Sequence, residues 1–272
     1  MFQQAVKWTL YLMMFCVAGF AQAASDKSLN ALLKASGIEE MVNQFPDTVK
    51  AGILEAQQQQ GALPEKDLDA MILSVDETIV PANILAGIRK SLSGELNDQQ
   101  IAGLMTWYES PLGKSFTEAE AKSGTEEAFA AMSAEAPKLM QNQELIAQVQ
   151  KIDQLLNATN LTVNFFEQVQ MAIFAGLMSA LQPDLPLDMS EMKKELNAVR
   201  QQSTANVQQM VHVSLAYAYK DFKPEEREQY IAFLSAPDAS RFNQTALKSM
   251  MDQLEASFMG WAKSVGEKKR ES

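Results

Sequence analysis

The chain has 272 residues, 47% hydrophobic and 21% charged, with a formal net charge of −11 and one cysteine. That length holds one large or two ordinary domains. An acidic chain without a basic patch is excluded as a nucleic-acid binder, because neutralising phosphates dominates that affinity, and it gains nothing from an anionic lipid surface.

Residues 1–23 read as a secretory signal peptide: Lys7 near the start, an uncharged apolar run over residues 8–20, and the small-x-small site Ala21-Gln22-Ala23. The run falls short of the roughly 20 residues of a spanning helix, so cleavage after Ala23 and a periplasmic protein are expected rather than an anchor. Cys16 follows Met13-Met14-Phe15 rather than small residues, which argues against lipid attachment. Past residue 23 the chain has no cysteine, which excludes disulfides, thiolate nucleophiles and cysteine-ligated zinc. No later stretch is expected to reach membrane-span length.

From there the apolar spacing is helical. Residues 26–35 turn Leu29, Leu32 and Leu33 inward, with Gly37 as the stop. Residues 38–60 carry Ile38, Met41, Val42, Phe45, Val49 and Ile53, and Pro46 predicts a kink or restart. Residues 61–64 form a turn. Residues 65–78 place Leu68, Met71 and Ile72 inward; Pro81 interrupts, and helix resumes over 82–92 before Gly94. Asn97 caps the next helix with Gln100 reaching back, and Ile101, Leu104, Met105 and Tyr108 form its apolar face. Ser110-Pro111 then ends it and caps another helix that carries Leu112 and Phe116. Thr125 caps a further helix with Phe129, Met132 and Met140 inward and Pro137 as a late kink.

Residues 145–160 form a helix through Leu145, Val149, Ile152, Leu155 and Leu156, ending near Asn160. Residues 161–181 are long and apolar, and residues 182–186 form a Pro-rich turn. Ser190 caps a helix reaching about Tyr219. Pro224 starts another, which Ala236-Pro237 ends. Residues 240–265 form the last, with Phe242, Leu247, Met251, Leu254, Phe258 and Trp261 inward. No stretch shows the two-residue period of a strand, so the fold class is all-α, a multi-helix bundle.

Two stretches repeat. Residues 29–38 align with residues 152–161, an offset of 123, which sets Gly37 against Asn160, the two residues that best tolerate a left-handed cap. At an offset of 126, Trp107 aligns with Phe233, Tyr108 with Leu234, Pro111 with Pro237 and Phe116 with Phe242, while Gly113 meets Ala239. Duplication is expected: module one over residues 24–142, module two, a diverged copy, over 143–266, and a charged tail over 267–272.

The segments LLKASGIEEMVNQFP (residues 32–46) and LNDQQIAGLMTWYESPLGKSF (residues 96–116) resemble a bacterial envelope family, the domain of unknown function numbered twenty fifty-nine. Its hallmark, an aromatic-Tyr-x-Ser-Pro-x-Gly turn, is matched by Trp107, Tyr108, Ser110, Pro111 and Gly113. Leu234-Ser235-Ala236-Pro237 in the second half lacks the tyrosine and the Ser-Pro pair. The resemblance implies a small helical exported protein and brings no assigned catalytic residues.

Sites were weighed one by one. His212 is the single histidine, and with no cysteine a zinc site would rest on carboxylates alone, unlike zinc chemistry. Glu109 before Ser110 offers the one pattern of a peptidoglycan-cutting acid, but it stands at a helix end. Asp67 and Asp69, or Asp184 and Asp188, lack calcium-loop spacing. The abundant methionines suit either core filling or an adaptable binding surface. No catalytic, cofactor-binding or metal residue is therefore expected. The function expected is that of an exported, non-enzymatic helical protein acting through protein or peptide contacts in the envelope, without nucleic acid or stable membrane insertion. The alternatives are a peptidoglycan hydrolase using Glu109 and a carrier of a small apolar ligand held between the modules.

Overall fold

The computed structural model describes residues 24–60, 64–181 and 188–271. All regular elements among them are helices: α1 Asp26–Ala35, α2 Ile38–Asn43, α3 Phe45–Gln60, α4 Glu65–Thr78, α5 Pro81–Ser93, α6 Asp98–Tyr108, α7 Pro111–Ser123, α8 Glu126–Leu139, α9 Gln143–Leu156, α10 Ala158–Leu181, α11 Ser190–Tyr219, α12 Pro224–Ser235 and α13 Pro237–Glu271. The expected signal peptide with Cys16, the turn at residues 61–63 and the Pro-rich turn at residues 182–186 lie outside the described residues.

Local chemistry sets most of the ends. Ser25, Thr125 and Asn142 each accept a hydrogen bond from the backbone N–H three residues on, capping α1, α8 and α9. Asn97 and Gln100 close the full reciprocal box on α6. Gly37 stands in the left-handed region at φ 78°, where only glycine is unstrained, and separates α1 from α2. Pro46 restarts rather than kinks the next helix: α2 stops at Asn43 and α3 begins at Phe45.

Several expectations are corrected. The left-handed residue of the second half is Asn157 (φ 53°), not Asn160, because Asp153 reaches over the end of α9 and accepts from the Thr159 N–H and hydroxyl, turning the chain straight into α10. Ser190 does not cap α11; it is the first helical residue, and the Asp188 carboxylate accepts from its N–H. The last helix begins at Pro237, not Ser240. Phe129 is 62% exposed and Met140 and Met41 are also exposed, although their spacing points them inward. One segment past residue 23, Glu65–Ser93, does reach membrane-span length and hydropathy. In the fold it is divided into α4 and α5, which pack against α13.

Two buried clusters organise the packing. The first gathers aliphatic side chains of α1 to α6, including Leu29, Leu32, Val42, Val75, Ile88, Leu92 and Leu104, around Phe242, Leu254, Phe258 and Trp261 of α13. Trp261 is fully buried, and its Nε1 donates to the Ser74 hydroxyl at 2.9 Å. The edge of its ring comes so close to α10 that a Cβ at Gly176 would stand 2.7 Å from it. The second cluster is richer in rings: Phe116 of α7, Leu139 of α8, Leu145, Val149 and Ile152 of α9, Tyr219 of α11, and Tyr230 and Leu234 of α12.

The boundary between the clusters does not follow residues 142 and 143. Helix α13, from the second half of the chain, packs on α4 and α5 of the first, while α7 and α8 of the first half pack on α11 of the second. Each half thus lends a helix to the other's core.

Candidate ligand cavity

The segment that most distinguishes the sequence forms the hinge between the clusters. Trp107 and Tyr108 end α6, and Ser110-Pro111 turns the chain into α7. Ser110 is extended (φ −65°, ψ 154°); its N–H donates to the Trp107 carbonyl at 2.9 Å, and its hydroxyl accepts from the Gly113 N–H at 2.9 Å. Gly113 is required by close approach: a Cβ there would stand 2.0 Å from the Trp107 carbonyl oxygen. At the aligned corner, Ala236 is extended (φ −66°, ψ 141°) and its N–H donates to the Phe233 carbonyl at 3.0 Å.

The aligned aromatics meet each other. Trp107 stacks on Phe233 with ring centroids 4.8 Å apart and on Tyr230 at 5.7 Å. Tyr108 sets its edge to Phe233 and to Phe242. Phe116 crosses to the second cluster, stacking on Phe222 at 4.0 Å and tilting against Tyr230 at 4.4 Å. The motif aromatics therefore pack inward, and the second half of the chain is their partner.

Beside this hinge a cavity of about 930 Å³ opens between the clusters. Its walls come from α2 and α3 (Ile38, Met41, Phe45), the α7–α8 break (Ser123, Gly124, Thr125, Phe129, Met132), α10 (Leu161, Thr162, Phe165, Phe166), α11 (Met210, Val211, Ser214, Leu215) and α13 (Phe242, Leu247, Met250, Met251). The lining is apolar and flexible, with methionine and phenylalanine prominent, the composition that adapts to varied apolar shapes. Phe129, Phe166, Met41 and Met210 are exposed at this surface. Met41 and Phe129, whose helical spacing points inward, thus lie on the cavity wall, whereas the exposed Met140 does not line it.

Glu120 of α7 is the acidic group of the cavity wall, where Tyr108, Tyr219 and Tyr230 also line it. The Tyr219 and Tyr230 hydroxyls both donate to Glu120 Oε1, at 2.6 and 2.7 Å. Burial pushes the Glu120 carboxyl above the usual carboxylate range, and the two tyrosine hydrogen bonds only partly offset it. Burial likewise raises the Tyr108, Tyr219 and Tyr230 phenols, with the Glu120 charge adding to each. Helical spacing gives no sign of Glu120, since it lies in the polar run of α7; only the exchange of α7 into the second cluster brings it against two tyrosines.

The other residues weighed from the sequence fall elsewhere. Glu109 is an exposed C-cap residue of α6 and lines no cavity. His212 is buried, with Nε2 3.0 Å from Asp153 Oδ2, the carboxylate that also holds Thr159. That trio fastens α9, α10 and α11 together. The hydroxyl bonds the carboxylate rather than the imidazole, so it is not a nucleophile–base pair. Among the described residues, no group of His, Cys, Asp and Glu is placed to hold a metal ion.

Residues 84–149 match the model of a family described as "Uncharacterized protein conserved in bacteria (DUF2059)". The match runs from α5 into α9 and contains the whole Trp107 to Gly113 corner and Glu120, so the resemblance carried by that corner is to this family. The chain matches no curated protein and no solved structure.

Proposed function

We propose that this protein is a non-enzymatic, exported carrier that holds a small apolar ligand in the cavity between its two clusters. The observation that carries the reading is the cavity itself. Its volume of about 930 Å³ falls within the range of small-molecule sites, roughly 300–1,000 Å³. Its walls are apolar, with few polar groups, the composition of a binding site rather than of a catalytic one. Protein or peptide contact, the first expectation from sequence, draws support from the exposed Met41, Phe129, Phe166 and Met210, but these line a concave pocket, which suits a compact ligand better than a helix face. The hydrolase reading gains nothing from Glu109, which stands exposed at the end of α6 and is not among the residues of the cavity wall. Export rests on the pattern of residues 1–23, and two copies of one module are supported by the matching corner geometry at an offset of 126.

The test is saturable binding of an apolar naphthylamine fluorophore to protein recovered from the periplasm, with its first residue sequenced. One site per chain and a mature start at Ala24 are expected. Ser214→Trp fills the cavity from α11 and should weaken binding at least about tenfold, or 1.4 kcal/mol, with thermal unfolding little changed. Non-saturable binding, or a Ser214→Trp protein that binds as well as the parent, sinks the carrier reading.

A further inference from the structure

We infer that the ligand carries a hydrogen-bond-donating cationic head, a primary ammonium or an amidinium, which is seated at Glu120 while its apolar body fills the cavity. This rests on the carrier reading and specifies its ligand class.

The argument starts from what the walls lack. Among the described lining residues there is no lysine, arginine, histidine or aspartate; Glu120 and three tyrosines are the ionisable groups. An anionic head would meet a carboxylate with no cation to offset it. Both tyrosine hydroxyls are committed to the same oxygen, Oε1. Oε2 receives no hydrogen bond among the described residues and is open to a donor from the cavity. The two tyrosine hydroxyls are neutral donors and leave the Glu120 charge without a counter-ion; a bound cation with N–H donors supplies both that charge and a hydrogen bond to Oε2.

The surroundings favour the same choice. Tyr108, Tyr219 and Tyr230 stand around the carboxyl, and Phe242 closes on Tyr108. These phenols and rings supply no cation of their own, so a positive head group meets no like charge beside the carboxyl. The net charge of −11 lowers the potential of every approach route. Burial raises the Glu120 carboxyl, and a bound cation opposes that shift by favouring the ionised form.

The experiment displaces the fluorophore from the full-length mature protein with dodecylamine, dodecanol and dodecanoate, each below its micellar concentration, for wild type and Glu120→Gln. Wild type should bind dodecylamine at least about tenfold more tightly than dodecanol, with dodecanoate weakest. Glu120→Gln should lose that preference and leave dodecanol within about twofold. If all three bind wild type equally, or dodecanoate binds best, the head-group assignment is overturned and the carrier reading stands. If none displaces the probe, both fail. The wild-type series decides the matter even if the variant does not fold.

Discussion

The corners α6–α7 and α12–α13 are built on one plan and finished differently. In both, the residue before proline is extended and its N–H bonds the carbonyl three residues back, and the residue four positions on bonds its carbonyl, at 3.0 Å for Lys114 to Ser110 and 2.9 Å for Ser240 to Ala236. An extended residue before proline, with proline as the first helical residue, suffices for this turn. Ser110 and Gly113 add a side-chain cap and a close approach that Ala236 and Ala239 do without. Beyond the corner the halves part. The first helix runs 13 residues to Ser123 and breaks at Gly124, while its counterpart runs on for 35 residues. The break places Ser123, Gly124, Thr125 and Phe129 in the cavity wall, together with residues of α10, α11 and α13 from the second half.

The comparison can be broken most forcefully at the exchanged rings. Phe116→Ala and Phe242→Ala each empty a fully buried ring site and should cost about 3–5 kcal/mol apiece in urea titration. Similar costs at the two positions are expected if the rings play equivalent parts; a difference of more than about 2 kcal/mol would show that the corners share backbone but not energetics. Gly113→Ala comes next. The Cβ collides with a carbonyl oxygen rather than a side chain, so the corner must open, at about 2 kcal/mol, whereas Ala239→Gly should lose only about 1 kcal/mol. A thermal melt that moves equally for both would refute the close-approach account. The finest probe is the cap: Ser110→Ala should lose about 1 kcal/mol and Ala236→Ser should gain a few tenths, read as opposite shifts in urea midpoint.

Much of the fold was legible from the chain. The bounds of α1 and α4, the box at Asn97 and Gln100, and the Ser110-Pro111 corner follow from capping and proline rules that act within a few residues. What sequence could not reveal is set at long range. Spacing assigned Phe129 and Met41 to a core, but periodicity says only that a face is apolar, not what covers it. The cavity appears in the sequence as exactly such surplus apolar residues. Glu120 carries no local signal, because it sits in the alternating Glu118-Ala119-Glu120-Ala121-Lys122 stretch and the tyrosines that distinguish it are 99 and 110 residues away. Asn157 was misplaced because its conformation depends on the Asp153 carboxylate reaching over it.

The lending of α13 to the first cluster has a consequence for how the chain is made. As a ribosome makes this protein from its amino end, helices α1 to α6 emerge long before Trp261, the side chain on which they close. The α7 ring must likewise wait for Tyr219 and Tyr230. Neither half can complete a stable core while the other is still in transit, and contacts separated by so much chain are slow to form. Packing of this kind leaves the first core incomplete until synthesis of α13, the last helix, is finished and the second until α12 has been made.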